Sequence, residues 1–186
     1  MTAVAVQNWL QGPFDEATKR EIEKLQGENP DLLQDAFYTT LSFGTAGMRG
    51  LMGVGTNRMN EYTIRGATQG LANYMKLAYG DKKPLHIAVG YDSRHHSKEF
   101  AVTVARVMAA NGIGTYIFKH LRPTPLVSFL CRYKKCDAGV MITASHNPPD
   151  YNGYKVYWND GGQVLPPHDK GIMEEVAKIK ELAEVQ

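Results

Sequence analysis

Thr143, Ser145, His146 and Asn147 place two hydroxyls, an imidazole and a carboxamide within five positions, directly after the apolar run Ala138-Gly139-Val140-Met141-Ile142. A short run rich in branched apolar residues predicts a buried strand, so this polar group falls just past a strand's carboxyl end. Pro148-Pro149 forbids a helix beyond it. Asn152-Gly153 reads as a turn pair and Tyr154 to Trp158 as a second strand, which leaves a hydroxyl and an imidazole on a stiff bend. Ser145 and His146 make a poor hydrolytic pair, because adjacent residues point apart and no Gly-x-Ser-x-Gly surrounds the serine. A plain turn, with Ser145 and Asn147 bonded to their own backbone, is the simple alternative. The glycine-rich stretch Phe43 to Gly55 argues for more, since it carries five glycines with Thr45 and Arg49, and Lys155 lies ten residues after Ser145. Hydroxyl, guanidinium, ammonium and free backbone amides together suit phosphoryl chemistry, in which charge on the transferring group must be balanced by fixed donors.

The surrounding pattern predicts elements that bring these groups together. Asp15 precedes a capped amphipathic helix, Glu16 to Gln26, which Gly27 should stop. Asp31 to Phe37 reads as a short helix and Tyr38 to Ser42 as a brief strand, while the glycines exclude regular structure from Phe43 to Gly55. Asn60 caps a helix that runs to Tyr79 and ends at Gly80. Leu85 to Val89 is a buried strand leading into Gly90-Tyr91-Asp92-Ser93-Arg94. A helix from Ser97 to Ala110, a strand from Thr115 to Phe118 and a helix from about Leu126 to Lys134 precede the central strand. Gln163 to Leu165 should pair back as a hairpin, and a last helix runs from His168 or Asp169 to Glu184. Strands alternating with helices predict an α/β fold with a mixed, mostly parallel sheet sandwiched between helices. In such sheets ligands gather beyond the carboxyl ends of strands, so Gly90 to Arg94 and Thr143 to Asn147 should border one crevice.

Composition narrows the function classes. The 186 residues are 43% hydrophobic and 22% charged, enough for one substantial core. A net charge of +2 without a basic run gives no electrostatic case for nucleic acid or an anionic membrane, although a small anion fits. No apolar run approaches the roughly 20 residues that span a bilayer, and the first residues lack a signal-peptide pattern, so we read a cytoplasmic protein. Cys131 and Cys136 lack the partners of a zinc site and read as reduced structural thiols. His95-His96 reads as a solvent-facing loop start, because adjacent residues rarely chelate one ion together. Gly53-Val54-Gly55 lacks the third glycine of a dinucleotide fingerprint.

Three motifs carry a family resemblance. Thr143-Ala144-Ser145-His146-Asn147-Pro148 resembles the active-serine signature of the alpha-D-phosphohexomutases, the phosphoglucomutase and phosphomannomutase family. Phe43-Gly44-Thr45-Ala46-Gly47-Met48-Arg49-Gly50 resembles the family's early glycine-arginine loop, and Gly90-Tyr91-Asp92-Ser93-Arg94 its Gly-x-Asp-x-Arg loop, in the family's order. Asn152 to Trp158 and Pro167 to Gly171 are most similar to the branch with phosphopentomutase-type and glucose-1,6-bisphosphate-synthase-type members. The resemblance covers roughly residues 40 to 175.

It implies an isomerase that moves a phosphoryl group within a sugar, of the glucose 1-phosphate to glucose 6-phosphate type, through a phosphoserine and a sugar bisphosphate. Phosphopentomutase or phosphomannomutase activity, or a non-catalytic sugar-phosphate binding module, are the alternatives. Ser145 matches the serine that carries the phosphoryl, whose oxygen also ligates magnesium, and glucose 1,6-bisphosphate is the implied activator. Lys155 matches a general acid or base, and Arg49 the arginine facing the phosphoserine. Thr45, Asn147 and Lys155 join them in binding phosphate. His146 and Asn147 shape the loop, His146 is also a candidate proton carrier, and Asp92 and Arg94 brace the loop.

The family pattern has four domains. Residues 1–40 would be a helical extension and 41–186 the phosphoserine-bearing first domain. Nothing here matches the acidic metal loop, the sugar-reading loop or the phosphate-binding loop of the other three. The expectation is a fragment of a longer enzyme, inactive alone, whose partners are a small phosphosugar and the remaining domains.

Overall fold

A five-stranded mixed sheet carries the molecule, in the order β1-β5-β4-β2-β3. The computed structural model describes residues 2–44, 47–82, 84–180 and 182–185. The strands are β1 (Gly47–Leu51), β2 (His86–Tyr91), β3 (Gly114–Ile117), β4 (Ala138–Ile142) and β5 (Tyr151–Trp158). The helices are α1 (Thr2–Gln11), α2 (Glu16–Glu28), α3 (Pro30–Phe37), α4 (Glu61–Tyr79), α5 (Ser97–Ala110), α6 (Pro125–Tyr133) and α7 (His168–Ala177). β2 pairs in parallel with β3 and with β4, whereas β5 runs antiparallel to both β4 and β1. Parallel neighbours need crossover helices, which α5 and α6 supply.

Alternation along the strands divides the core into two layers. Ile87, Val89, Val140, Ile142, Tyr154 and Val156 pack with Leu71 and Met75 of α4, Val104 and Met108 of α5 and Ile172 of α7. On the opposite face Ala88, Met141 and Tyr157 meet Val127 and Cys131 of α6. Every residue of β4 is buried, as expected of a central strand covered on both sides. Burying each large side chain contributes about 1.5–3 kcal/mol, so the sheet's centre is its most stable part.

Several elements form as the sequence predicts. Asn60 and Thr63 make a reciprocal capping box at the start of α4, and Gly80 ends it. α5 spans Ser97–Ala110, and β4 spans Ala138–Ile142. Other expectations fail for identifiable reasons. The glycine-rich stretch is not irregular throughout, because Gly47–Leu51 forms strand β1 against β5. Gly47 is demanded by that pairing: it has φ +124°, and a Cβ there would fall 1.7 Å from the Tyr154 carbonyl oxygen. Asn152-Gly153 is not a turn but lies inside β5, where a Cβ on Gly153 would stand 2.6 Å from the Thr143 carbonyl oxygen. Tyr38 to Ser42 is no strand; its backbone is tied to the neighbouring turn, where the Leu41 amide donates to the Thr56 carbonyl. Gln163 to Leu165 makes only one bridge, to Tyr157. Gly27 does not stop α2, which continues to Glu28 and is capped by Asn29, a residue that also caps α3 ahead of Pro30. The last helix ends at Ala177, followed by a 3-10 turn, Leu182–Glu184.

Helix α1 has no counterpart among the elements that the sequence predicts. It joins α2 and α3 through an aromatic cluster in which Trp9 stacks on Phe14 at 4.2 Å and meets Phe37 and Tyr62 edge-on. Tyr62 belongs to α4, so this cluster fastens the three helices to the sheet-bearing part. Asp15 caps α2 by accepting from the Thr18 amide and hydroxyl, and it also accepts from the Tyr62 hydroxyl at 2.7 Å. Partial burial opposes ionisation of Asp15, but these hydrogen bonds, from Tyr62 first and then Thr18 and Ala17, outweigh it and hold the carboxyl at about 2.

A lowered folded-state value means that the Asp15 carboxylate stabilises the fold fully above its ordinary value of 3.8, and that this is lost as pH falls through about 2. Asp15→Ala is therefore expected to cost about 1 kcal/mol at neutral pH, allowing for solvent screening, with the gap to wild type closing near pH 2. Thermal melts of both proteins across that range check it.

Candidate functional site

The site is assembled where β1, β5 and the loops after β2 and β4 meet. Arg49 pairs across from Gly153, and Gly47 from Lys155. Arg49 and Lys155 are thus diagonal neighbours on one face of the sheet, about 7–8 Å apart at the backbone. Met48 and Tyr154, the residues between, point the other way into the core. Two cations are held close by strand register alone.

The loop leaving β4 turns sharply. Ser145 has φ +57°, in the left-handed region that non-glycine residues seldom occupy. Its amide donates to the Thr143 hydroxyl at 3.0 Å, and the Asn147 amide donates to the Ala144 carbonyl at 3.1 Å. These bonds clamp the turn around Ala144, whose side chain is fully buried, and leave the Ser145 side chain exposed. The His146 ring is exposed too, with its Nδ1 3.4 Å from the Ser145 hydroxyl.

Two arginines hold the loop from opposite sides. Arg49 donates from Nη1 to the Asn147 side-chain oxygen at 2.9 Å, joining β1 to the serine loop. Arg94 gives its two terminal nitrogens to four carbonyls: Nη1 to Pro148 and Tyr151, Nη2 to Ser145 and Asn147, at 2.6–3.1 Å. Asp92 braces Arg94, accepting from its amide at 3.0 Å and facing its Nε at 3.7 Å. Lys155 is half-buried, and its ammonium is held below the ordinary lysine range, first by burial and then by the Arg49 charge, with Asp92 pulling the other way. An amine shifted in that direction is easier to use as a proton carrier near neutral pH.

The expected residues therefore gather at one edge: Ser145, His146 and Asn147 on the loop, Arg49 and Lys155 beside it, Asp92 and Arg94 beneath. Thr45 lies outside the described residues. His96 tilts against Phe100, and the His95 carbonyl accepts from Asn152. Among the described residues no three His, Cys, Asp or Glu side chains are grouped to hold a metal ion. Cys131 and Cys136 are free and buried, and burial pushes their thiols up to about 12 and about 11, away from reactivity. Among the described residues no helix is long and apolar enough to cross a membrane.

Sequence reasoning missed two polar side chains behind the loop, Asn152 and Ser97, both fully buried. The signal for Asn152 is ambiguous, because Asn-Gly is the usual mark of an exposed turn. Ser97 carries only the mark of a helix start.

A serine on a strained bend, in a loop bonded through Asn147 to an arginine that has a lysine diagonal to it on the next strand, defines an α/β domain suited to carrying an anionic group. The family model of the phosphoglucomutase/phosphomannomutase alpha/beta/alpha domain I matches residues 40–183, and the chain belongs to that family. Human phosphopentomutase is 41% identical over 175 residues, covering 90% of this chain and 29% of that protein. Mouse glucose 1,6-bisphosphate synthase is 40% identical over 178 residues, covering 91% and 28%. Among solved structures, a Thermus thermophilus protein assigned as a phosphomannomutase superposes with a TM-score of 0.67 at 31% identity, covering 74% of this chain and 30% of its own. The chain thus spans under a third of the length of these relatives.

Because the folded Lys155 value lies below the ordinary one of 10.5, the charged ammonium is disfavoured by the fold throughout the neutral range. Lys155→Met is expected to raise the melting temperature at neutral pH. The gain should shrink as pH climbs past the ordinary lysine value, where both folded and unfolded lysine are neutral. Melting curves at neutral and strongly alkaline pH decide it.

Proposed function

We propose that this chain is the phosphoserine-bearing part of a phosphosugar mutase, acting with further domains of the same enzyme. In this reading residues 1–40 are a helical extension and 41–186 the catalytic α/β domain. The observation that carries it is the convergence of Arg49 and Lys155, from different strands, on the face next to the Ser145 loop, with Arg49 bonded to Asn147.

The chemistry follows from those positions. A sugar hydroxyl oxygen attacks the phosphorus carried on Ser145, the bond from phosphorus to Oγ breaks, and the serine oxygen regains a proton. Lys155 accepts the sugar's proton, and Arg49 balances charge on the moving phosphoryl. The bisphosphate formed then turns over, and Ser145 Oγ attacks its other phosphorus as it gives up its proton; the bond from that phosphorus to the sugar oxygen breaks, the sugar oxygen takes back the proton that Lys155 holds, and the isomeric monophosphate leaves with the phosphoserine restored. Arg94 and Asp92 keep the loop from moving during both transfers. Thr45 and Asn147 complete the phosphate contacts, and His146, beside the hydroxyl, is a second proton carrier.

Magnesium, the family's implied ion, finds little in this chain by itself. An octahedral oxygen site needs several hard donors, whereas the Asp92 carboxylate is engaged by Arg94 and Ser97, and a phosphorylated Ser145 would offer only the oxygens of its own phosphate. The donor set among the described residues does not make a magnesium site, so no step is assigned to the ion. Glucose phosphates are the favoured substrates, with glucose 1,6-bisphosphate as phosphoryl donor, and pentose or mannose phosphates as the rivals.

Intact-mass measurement of the full-length enzyme, before and after glucose 1,6-bisphosphate, tests the reading. Wild type should gain one phosphoryl group and Ser145→Ala none; equal gain in both, or no gain in wild type, overturns it. Arg49→Met should slow transfer by at least about 100-fold, as expected for loss of a preorganised charge on the transferring group. Turnover of glucose, ribose and mannose 1-phosphates side by side ranks the sugars.

A further inference from the structure

Behind the serine loop a chain of hydrogen bonds, joined at one link by the Asp92–Arg94 ion pair at 3.7 Å, starts and ends on the same segment. Asn152, the second residue of β5, is fully buried, and its Nδ2 donates to the His95 carbonyl at 2.9 Å and to the Ser97 hydroxyl at 3.0 Å. Ser97, also fully buried, donates its single hydroxyl proton to Asp92 Oδ1 at 2.8 Å. Asp92 braces Arg94, and Arg94 returns to the carbonyls of Ser145, Asn147, Pro148 and Tyr151. Tyr151 is the residue next to Asn152, so the chain closes on itself.

Each group in this ring has little freedom to bond elsewhere. A buried hydroxyl has one proton, and Ser97 spends it on Asp92 while accepting from Asn152. The orientation of the Asn152 amide is fixed as well, because its Oδ1 accepts from the Gly153 amide at 2.8 Å. Ser97 is also not an ordinary helix cap: the cap position of α5 is His96, at φ +59° and without a side-chain cap bond. The serine's hydroxyl faces the loop network instead of the helix's free amides.

We infer that Asn152 and Ser97 are positioning residues for phosphoryl transfer at Ser145, acting through Asp92 and Arg94 to keep the loop in its left-handed turn. They touch no reacting atom. Their effect is to fix where the Asp92 carboxylate sits, and thereby which way the Arg94 guanidinium faces and how far the four carbonyls are drawn in. Buried hydrogen-bond networks transmit such effects because an unpaired member is costly and the others shift to repair it. Displacement of a reacting group by a fraction of an ångström is enough to slow a transfer step strongly. The inference rests on the mutase reading for its kinetic consequence, but not for its structural one.

The test therefore uses two readouts on the full-length enzyme, in Ser97→Ala, Asn152→Ala and the double variant. Hydrogen exchange reports the amides of residues 143–151 without any reaction, and Ser145 phosphorylation by glucose 1,6-bisphosphate is timed by intact mass. Both single variants should exchange the loop amides about tenfold faster and slow phosphoryl transfer about tenfold or more, with the half-saturating donor concentration changed less than about twofold. Because the two act in series, the double variant should be no slower than the worse single one. Unchanged loop exchange overturns the inference, as does transfer within about twofold of wild type or slowing that multiplies in the double variant. A wild type that takes up no phosphoryl group sinks the mutase reading instead, and hydrogen exchange still decides whether Asn152 and Ser97 hold the loop. If Ser97→Ala fails to fold, Asn152→Ala carries both readouts alone.

Discussion

A serine held at φ +57° is the constraint on which the functional edge depends. A residue with a Cβ pays on the order of 1 kcal/mol or more for that conformation, so it persists only where surrounding bonds over-determine it. Here they do. The Thr143 hydroxyl and the Ala144 carbonyl close the turn from within, and Arg94 pulls on its carbonyls from outside. Ala144 is buried beneath the turn, so the chain cannot relax toward the sheet. The strain sets the direction of one hydroxyl, and the remaining architecture determines what that hydroxyl meets.

What it meets is decided by β5. An all-parallel sheet would have required a crossover before the strand next to β4, and the loop after Ile142 would then have led into a helix. Instead β5 returns antiparallel along β4 and offers its other edge to β1. That insertion brings Arg49 and Lys155 onto one face. It also requires glycine at 47 and 153, where backbones approach too closely for a side chain. The family's glycine-rich loop is therefore partly a strand whose composition reflects crowding rather than flexibility. Lys155 is affected twice, by burial and by Arg49, and the same closeness that depresses its proton affinity serves the chemistry proposed for it.

The sequence was readable where local rules and tertiary structure agree. The Asn60 cap of α4, the branched run of β4 and the helix from Ser97 to Ala110 each state their element locally, and each formed where expected. It misled where a tertiary contact overrode a local signal. Asn-Gly marks a turn when both residues are exposed, but Asn152 is buried because its amide is needed by His95 and Ser97, on one segment remote in sequence. Glycines in β1 depress strand propensity, yet pairing with β5 outweighs it. Helix α1 is stabilised by tertiary contact, as Trp9 stacks on Phe14 and meets Tyr62. The motif residues of the site were legible by resemblance, whereas Ser97, which joins Asn152 to Asp92 behind them, lies in no motif.

One property of the edge follows from the same geometry. Ser145 and His146 are exposed, and the hollow between Asp92, Arg94 and the serine loop is open to solvent. A phosphoryl group carried there would stand in water, where hydrolysis competes with transfer to a sugar hydroxyl. Fixed cations and a rigid loop stabilise the transfer step but do not exclude water, because exclusion needs surfaces that close over the group. Under the proposed function those surfaces belong to the further two thirds of length that the relatives possess beyond the matched segment. The division of labour is then physical. This chain supplies a serine that cannot turn away and two cations that cannot leave, and the selection against water is made by whatever closes on them.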